Sequence, residues 1–288
     1  MKEKKEHDYM FYIPTDTVKV LKDFIEKIAI YRFDKRKKME KRIDWKYKSK
    51  YVVNPTLAFN KLTPFSKEDQ NKDKYLSWIV TLCASKEIKE IQNLLKTRSE
   101  KQIEEMERLG WKSQEFAGQV NGRMIIGLGA IHPQETSMTF HHTYGIPYIP
   151  GTAIKGVTRH WVIFEKFGQD ERQAEEDSQF KRIFGIQEKS GEIIFLDAFP
   201  ISSIHLKIDV INPHYPDYYD KGNPPTDWQN PRPVKFLTVE ETWFQFYLLG
   251  KDQKLLNNSV ESLKQALQNF GIGAKTAVGY GYFDLTGP

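Results

Sequence analysis

The chain has 288 residues, 39% of them hydrophobic and 13% aromatic, with a formal net charge of +5. That composition suits a packed core and excludes a disordered chain, and no apolar run reaches the ~18–20 residues that span a bilayer. Cys83 is the only cysteine, which excludes an internal disulfide and CxxC-type zinc sites and fits a reducing cytoplasm.

Met1–Tyr9 is charged and lacks the apolar segment of a signal peptide. Residues 1–50 hold 16 Lys and Arg against 9 Asp and Glu, a net of +7, whereas the remainder nets −2. The excess is densest at Arg32–Arg42, with Trp45, Tyr47 and Tyr51 close behind. Basic residues interleaved with aromatics suit a nucleic-acid backbone and its bases; the same pattern also describes a solvated helical face or a tail. Apolar spacing predicts a helix over Thr15–Lys38. Asn54–Phe65 reads as a loop around a short extended piece, Thr56–Phe59. Asp73–Leu109 reads as one helical region closed by Gly110. A helical, basic region over residues 1–110 is thus expected to precede a second domain over 111–288.

From there the pattern changes. Ser113–Leu128 is strand-like, with a hairpin-turn signal at Asn121-Gly122. His132–Ile149 is a loop rich in His, Thr and aromatics. Thr152–Phe167 is a helix with Thr152 as its cap, Gly191–Phe199 a strand, and Asn212–Pro233, with six prolines, a long irregular excursion. Phe236–Leu249 is a strand region, Leu255–Phe270 a helix and Thr276–Leu285 a final strand. The order strand, helix, strand, strand, helix, strand predicts an α+β fold with a ferredoxin-like or RRM-like βαββαβ core, carrying a helical N-terminal extension and long loop insertions.

Two stretches carry candidate chemistry. In Tyr144–Arg159, Pro150-Gly151 turns the chain into a helix whose first-turn amides suit a phosphate, and Lys155 and Arg159, four apart, share one face. An ordinary capped helix with two solvated cations fits the same residues. In Gly271–Tyr282, four glycines let the backbone approach another chain or a phosphodiester closely, with Lys275 and Thr276 at the middle. The stretch lacks the spacing of a Walker A loop and follows a helix rather than opening one, so neither nucleotide fingerprint applies. A helix end followed by a bulged strand is the plain alternative. Asp197, at the end of the Gly191–Phe199 strand, suits a capping or salt-bridging role.

Taken in order, Arg123–Gly129, Gly145–Gly156, Phe184-Gly185, Gly191–Pro200 with Asp197-Ala198, and Gly271–Tyr282 resemble the RAMP superfamily of CRISPR proteins. Within it, Asn54–Lys61, Asp209–Tyr219 and Pro231–Val239 look most like the family of sixth subunits of the Cmr complex. The resemblance implies an RRM-like core in a cytoplasmic type III-B, RNA-guided complex. It implies contact with the 3′ part of the guide RNA, with target RNA and with other Cmr subunits, no cofactor or metal, and target cleavage left to other subunits. Its expected RNA-binding residues are Arg123, His141, His142, Lys155, Arg159, Gly271, Gly273, Lys275, Thr276, Gly279 and Gly281.

Two rivals stand beside this. One is a metal-independent endoribonuclease in which His141 or His142 activates a ribose 2′-hydroxyl. A metal site at that pair is disfavoured, because adjacent side chains of an extended loop point to opposite sides. The other is a scaffold that docks through Tyr215, Tyr218, Tyr219 and Trp228 in the proline-rich excursion.

Overall fold

The computed structural model describes residues 10–11, 54–61, 64–65, 70–133, 135–212, 222, 224, 226 and 233–287. The predicted helix Thr15–Lys38, the basic run Arg32–Arg42 and most of Asn212–Pro233 lie outside them.

Strand β1 (Met10–Phe11) pairs with β2 (Pro64–Phe65), and between them in sequence stands helix α1 (Pro55–Lys61). The expected loop there is thus a helix. The fixed φ of Pro55 suits the first helical position, and Asn54 Oδ1 accepts from Leu57 N at 3.1 Å, satisfying an otherwise free amide. The single helical region expected next is two helices, α2 (Gln70–Cys83) and α3 (Lys86–Arg108). Ser85 separates them because its extended backbone leaves the first while its hydroxyl caps the second, accepting from Ile88 N. Gly110, at φ 82°, closes α3 as expected: its N–H donates to Glu107 O and that of Trp111 to Met106 O.

Next come β3 (Lys112–Asn121) and β4 (Arg123–Met124). The hairpin expected at Asn121-Gly122 does not form, since β3 and β4 belong to different sheets. Gly122, at φ 73°, turns the chain from one sheet into the other. Helix α4 (Gly151–Phe167) follows, then α5 (Glu171–Glu176) and α6 (Ser178–Phe184), which the pattern missed because Asp170 and Asp177 cap them within a short polar run. A two-strand ribbon, β5 (Gly185–Ile186) and β6 (Lys189–Ser190), leads to β7 (Ile193–Phe195) and β8 (Phe199–Pro200), which divide the expected Gly191–Phe199 strand. Strand β9 (His205–Ile211) was not anticipated, although Leu206, Ile208 and Val210 alternate with polar residues. The expected Phe236–Leu249 strand is two, β10 (Val234–Glu240) and β11 (Trp243–Gly250), parted at Glu241, whose φ is 47°. Helix α7 (Gln253–Asn269), capped by Asp252, and β12 (Tyr282–Asp284) complete the chain.

The main sheet runs β12-β3-β11-β7, with β8 also on β11, and every pair is antiparallel. Helices α4 and α7 pack on each other and on this sheet, so the predicted split βαβ core is present. Phe244, Phe246 and Leu248 of β11 are buried and Phe283 of β12 meets the two phenylalanines, which makes the alternation of β11 the centre of the core. The same hydrophobic cluster takes in Phe59, Tyr75, Ile79 and Ile88 from α1–α3. A second sheet, β4-β10-β9, lies beside the first.

The main sheet has a second face, opposite α4 and α7. Part of it is covered by α3, leaving a cleft lined by Glu100, Ile103, Glu104 and Glu107 against Ser113, Gln114, Glu115 and Tyr247. Burial, and then Glu115, push the Tyr247 hydroxyl up to about 12. Four carboxylates make this cleft repulsive to phosphate.

The start of α4 also differs from expectation. Thr152 is exposed and does not cap; Pro150 is the cap residue, without a side-chain bond. Asp197 does the work from the β7–β8 link, its Oδ1 accepting from Gly151 N at 2.7 Å. A carboxylate therefore occupies the helix end that was expected to hold a phosphate. Replacing Asp197 with Ala should cost about 0.5–2 kcal/mol of stability, the usual worth of such a cap. Asp197→Asn should retain most of it and Thr152→Ala should cost little; thermal melts of the three variants check this.

Candidate nucleic-acid interface

The segment between α7 and β12 folds back on itself and onto β4. Ile272 N donates to Gly281 O at 2.8 Å, Ala274 N to Ile125 O at 2.8 Å, and Gly281 N to Arg123 O at 2.7 Å. A Cβ on Gly281 would sit 2.1 Å from Ile272 O, and one on Gly273 would sit 2.3 Å from Ile125 O. These glycines thus serve a close approach, as the sequence suggests, but to carbonyls of their own chain rather than to a second polymer. Gly271 lies against Tyr280 O, whereas Gly279 faces open space. The strand expected from Thr276 begins later: Thr276–Val278 form one 3₁₀ turn, with Ala277, Val278 and Gly279 exposed at the tip.

The anchoring of this loop brings Arg123 and Lys275 into one neighbourhood. Arg123 Nη1 lies 2.5 Å from Asp209 Oδ2 and its Nε lies 3.7 Å from Glu240 Oε2. The same Asp209 oxygen accepts the hydroxyl of Tyr280 at 2.5 Å, and its other oxygen accepts from Val210 N at 2.8 Å. Burial pushes the Asp209 carboxyl up, but the bonds from Tyr280 and Arg123 outweigh it and hold the group below its ordinary value. Glu240 also pairs with Lys207. Lys275 Nζ lies over two rings, 5.5 Å from the centre of Phe236 and 5.6 Å from that of Tyr280. Among the described residues Lys275 forms no ion pair, which distinguishes it from Arg123 and Lys207.

The other expected residues lie in different surroundings. His141 is half-buried, stacked on Tyr144 at 4.3 Å between centroids, and flanked by Tyr148 and Phe199. Its Nδ1 accepts from Tyr144 N, and Arg98 bonds the Tyr144 hydroxyl. Burial lowers the His141 pKa; Asp197 opposes this, while Arg98 and His142 add to it. His142 is exposed. Arg159 pairs with Glu171 at 2.8 Å and Glu175 at 2.9 Å and lies over Phe180, so it ties α4 to α5 and α6. Lys155 is partly exposed on the same helix. The eleven expected residues therefore separate into a loop-and-Arg123 group, a histidine group and the outer face of α4. Asp209, Glu240 and Phe236 were not singled out as site residues, although the alternation in His205–Ile211 marks Asp209 as a polar strand position. Among the described residues no three His, Cys, Asp or Glu side chains converge as a metal site, and no helix is long and apolar enough to cross a membrane.

A βαββαβ core whose final strand follows a glycine-rich loop seated on β4 is the arrangement in which the family comparison falls. The RAMP superfamily model matches residues 118–284, more than half of the chain, and the chain belongs to that superfamily. Within it, the chain is 33% identical over 217 residues to the CRISPR system Cmr subunit Cmr6 of Pyrococcus furiosus, covering 55% of this chain and 64% of that protein. It is 29% identical over 155 residues to the Cmr6 subunit of Saccharolobus solfataricus, covering 53% of this chain and 49% of that one. The chain thus spans less than two thirds of the length of either relative. Among solved structures, a type III-B Cmr-beta complex bound to cognate target RNA contains a chain similar in fold, with TM-score 0.56 and 23% identity, over 77% of this chain and 76% of that one. The crystal structure of Cmr6 from Pyrococcus furiosus matches at 31% identity and TM-score 0.42, over 60% of this chain and 97% of that one.

Two outcomes test the anchoring of the loop. Gly281→Ala should destabilise the fold by more than ~1 kcal/mol, through both its positive φ and its clash, whereas Gly129→Ala, in open space without a positive φ, should be close to neutral. Because the folded Asp209 pKa lies below its unfolded value of ~3.9, its contribution to stability is fully present above that value and is lost as pH falls through the folded pKa. Acid titration of stability should therefore be shallower in Asp209→Asn than in the native chain below roughly pH 4.

Proposed function

We propose that this chain is a non-catalytic RNA-binding subunit of a type III-B (Cmr) CRISPR effector complex. In this role it holds the 3′ part of the guide RNA and caps the backbone filament in antiviral RNA-guided interference, in contact with other Cmr subunits and with target RNA. The observation that carries the proposal is the rigid loop inside the family-matched segment, which presents Lys275 beside the exposed tip Ala277–Gly279. The names of the similar proteins support the assignment to a Cmr complex.

The physical fit is to a phosphodiester backbone rather than to bases. Lys275 is a point charge with no ion pair among the described residues, and Gly279 close by has open space about it. The acidic cleft under α3 repels phosphate from the far side of the sheet. Arg159, already held by two glutamates, is assigned to packing of α4 against α5.

A non-catalytic role fits the surroundings of His141. His141 is held in a ring stack with Tyr144, Tyr148 and Phe199, and its Nδ1 accepts from Tyr144 N, surroundings that suit ordering of the loop.

RNA recovered with the chain from cells should be enriched in repeat-derived guides with a common 5′ tag, read by sequencing. The purified chain should cut neither guide nor target RNA; metal-independent cleavage abolished by His142→Ala would establish the nuclease instead. Binding of single-stranded RNA should weaken with salt, by about 0.7 log units per log unit of salt for each phosphate neutralised. Arg159→Ala should lower the melting temperature and leave that slope unchanged.

A further inference from the structure

We propose that Arg123, Asp209 and Tyr280 form a positioning relay that fixes the ammonium group of Lys275, and that Arg123 does not itself contact phosphate. The proposal rests on the RNA-binding role advanced above.

Arg123 is one of the residues expected to bind RNA, and its surroundings in the structure point to other work. Its guanidinium is engaged by Asp209 at 2.5 Å and approached by Glu240 at 3.7 Å. Glu240 is shared with Lys207. Two cations and two carboxylates thus balance within one network, which leaves no net charge there for a polyanion. Lys275 stands outside this balance, with no ion pair among the described residues.

The network reaches Lys275 through a ring. Tyr280 donates its hydroxyl to the same Asp209 oxygen that Arg123 holds. That bond fixes the ring at its far end, and the Lys275 ammonium lies over its face and over Phe236. The backbone contributes as well: Tyr280 N donates to Lys275 O at 3.3 Å, and Gly281 N to Arg123 O at 2.7 Å. An ammonium carries three donors, and contact with ring faces consumes none of them. Lys275 is therefore held in place with its hydrogen-bonding capacity directed away from the rings. A free lysine loses rotamer entropy when it binds, and one held beforehand loses less, an advantage of about two- to tenfold in affinity.

The test measures binding of single-stranded RNA as a function of salt, together with the proton shifts of the Lys275 side chain by NMR. In the native chain the two rings should move the Lys275 Cε protons upfield. In Tyr280→Phe, which keeps the ring and removes the hydroxyl, that shift should shrink. RNA affinity should fall about two- to tenfold, with an unchanged salt slope because the same phosphate is still neutralised. Arg123→Gln should behave in the same way. Lys275→Ala should lower the slope by about 0.7, and adding Tyr280→Phe to it should produce no further loss. The relay is overturned if Arg123→Gln lowers the slope by a comparable amount, if Tyr280→Phe binds as the native chain does, or if its effect adds to that of Lys275→Ala. Asp209→Asn, which retains the side-chain shape, provides the same readouts should Tyr280→Phe fail to fold. A native chain that binds no RNA would instead remove the function proposed above; one that binds while Tyr280→Phe has no effect would remove only the relay.

Discussion

The arrangement of this molecule depends on a short backbone contact, the seating of the glycine-rich loop on β4. Ala274 N to Ile125 O and Gly281 N to Arg123 O bind a segment that enters the main sheet to β4 of the second sheet and to the residue that follows it. The contact requires two positions with no side chain, Gly273 and Gly281, because each faces a carbonyl at less than van der Waals distance from any added carbon. With the loop fixed, Tyr280 can reach Asp209 on β9, and Lys275 comes to rest on Phe236 of β10. The exposed tip is then held from both sheets at once rather than suspended from a helix end.

The two crossings between sheets explain why the fold needs both. The chain leaves the main sheet at Gly122 and returns to it at Glu241, and Val120 N donates to Thr242 O close to both points. Strands β4 and β10 are therefore continuations of β3 and β11 turned through a corner. The hydrophobic cluster that spans α1–α3 and the main sheet covers one flank of this assembly, and its acidic cleft deprives that flank of any attraction for phosphate.

The long elements were legible in the sequence because one period governs each of them. The spacing in Leu255–Phe270 and the turn at Pro150-Gly151 place α7 and α4 nearly correctly, and the order of strands and helices identifies the core. The errors have separate physical causes. Asn54–Phe65 reads as a loop when Pro55 is taken as a breaker, although a proline at the first helical position favours a helix. Asn121-Gly122 and Glu241 mark corners, and local sequence does not distinguish a corner between sheets from a hairpin. At the site, the close backbone approach at Gly273 and Gly281 could be read from the spacing of the glycines. The occupation of Arg123 and Arg159 by carboxylates could not, since Asp209, Glu240, Glu171 and Glu175 approach them only through tertiary structure. The capping of α4 by Asp197, 46 positions further along the chain, is legible for the same reason only in part.

Lys275 itself adopts a left-handed backbone, with φ at 65°, amid glycines that would adopt it without steric cost. A side chain in that region costs roughly 1–2 kcal/mol relative to the right-handed alternative. Mutational drift toward greater stability would accordingly favour glycine at this position, as at its neighbours. The lysine there sets backbone strain against the charge that it places on the loop. Sequences selected for thermal resistance alone are expected to lose it before they lose any glycine of the loop.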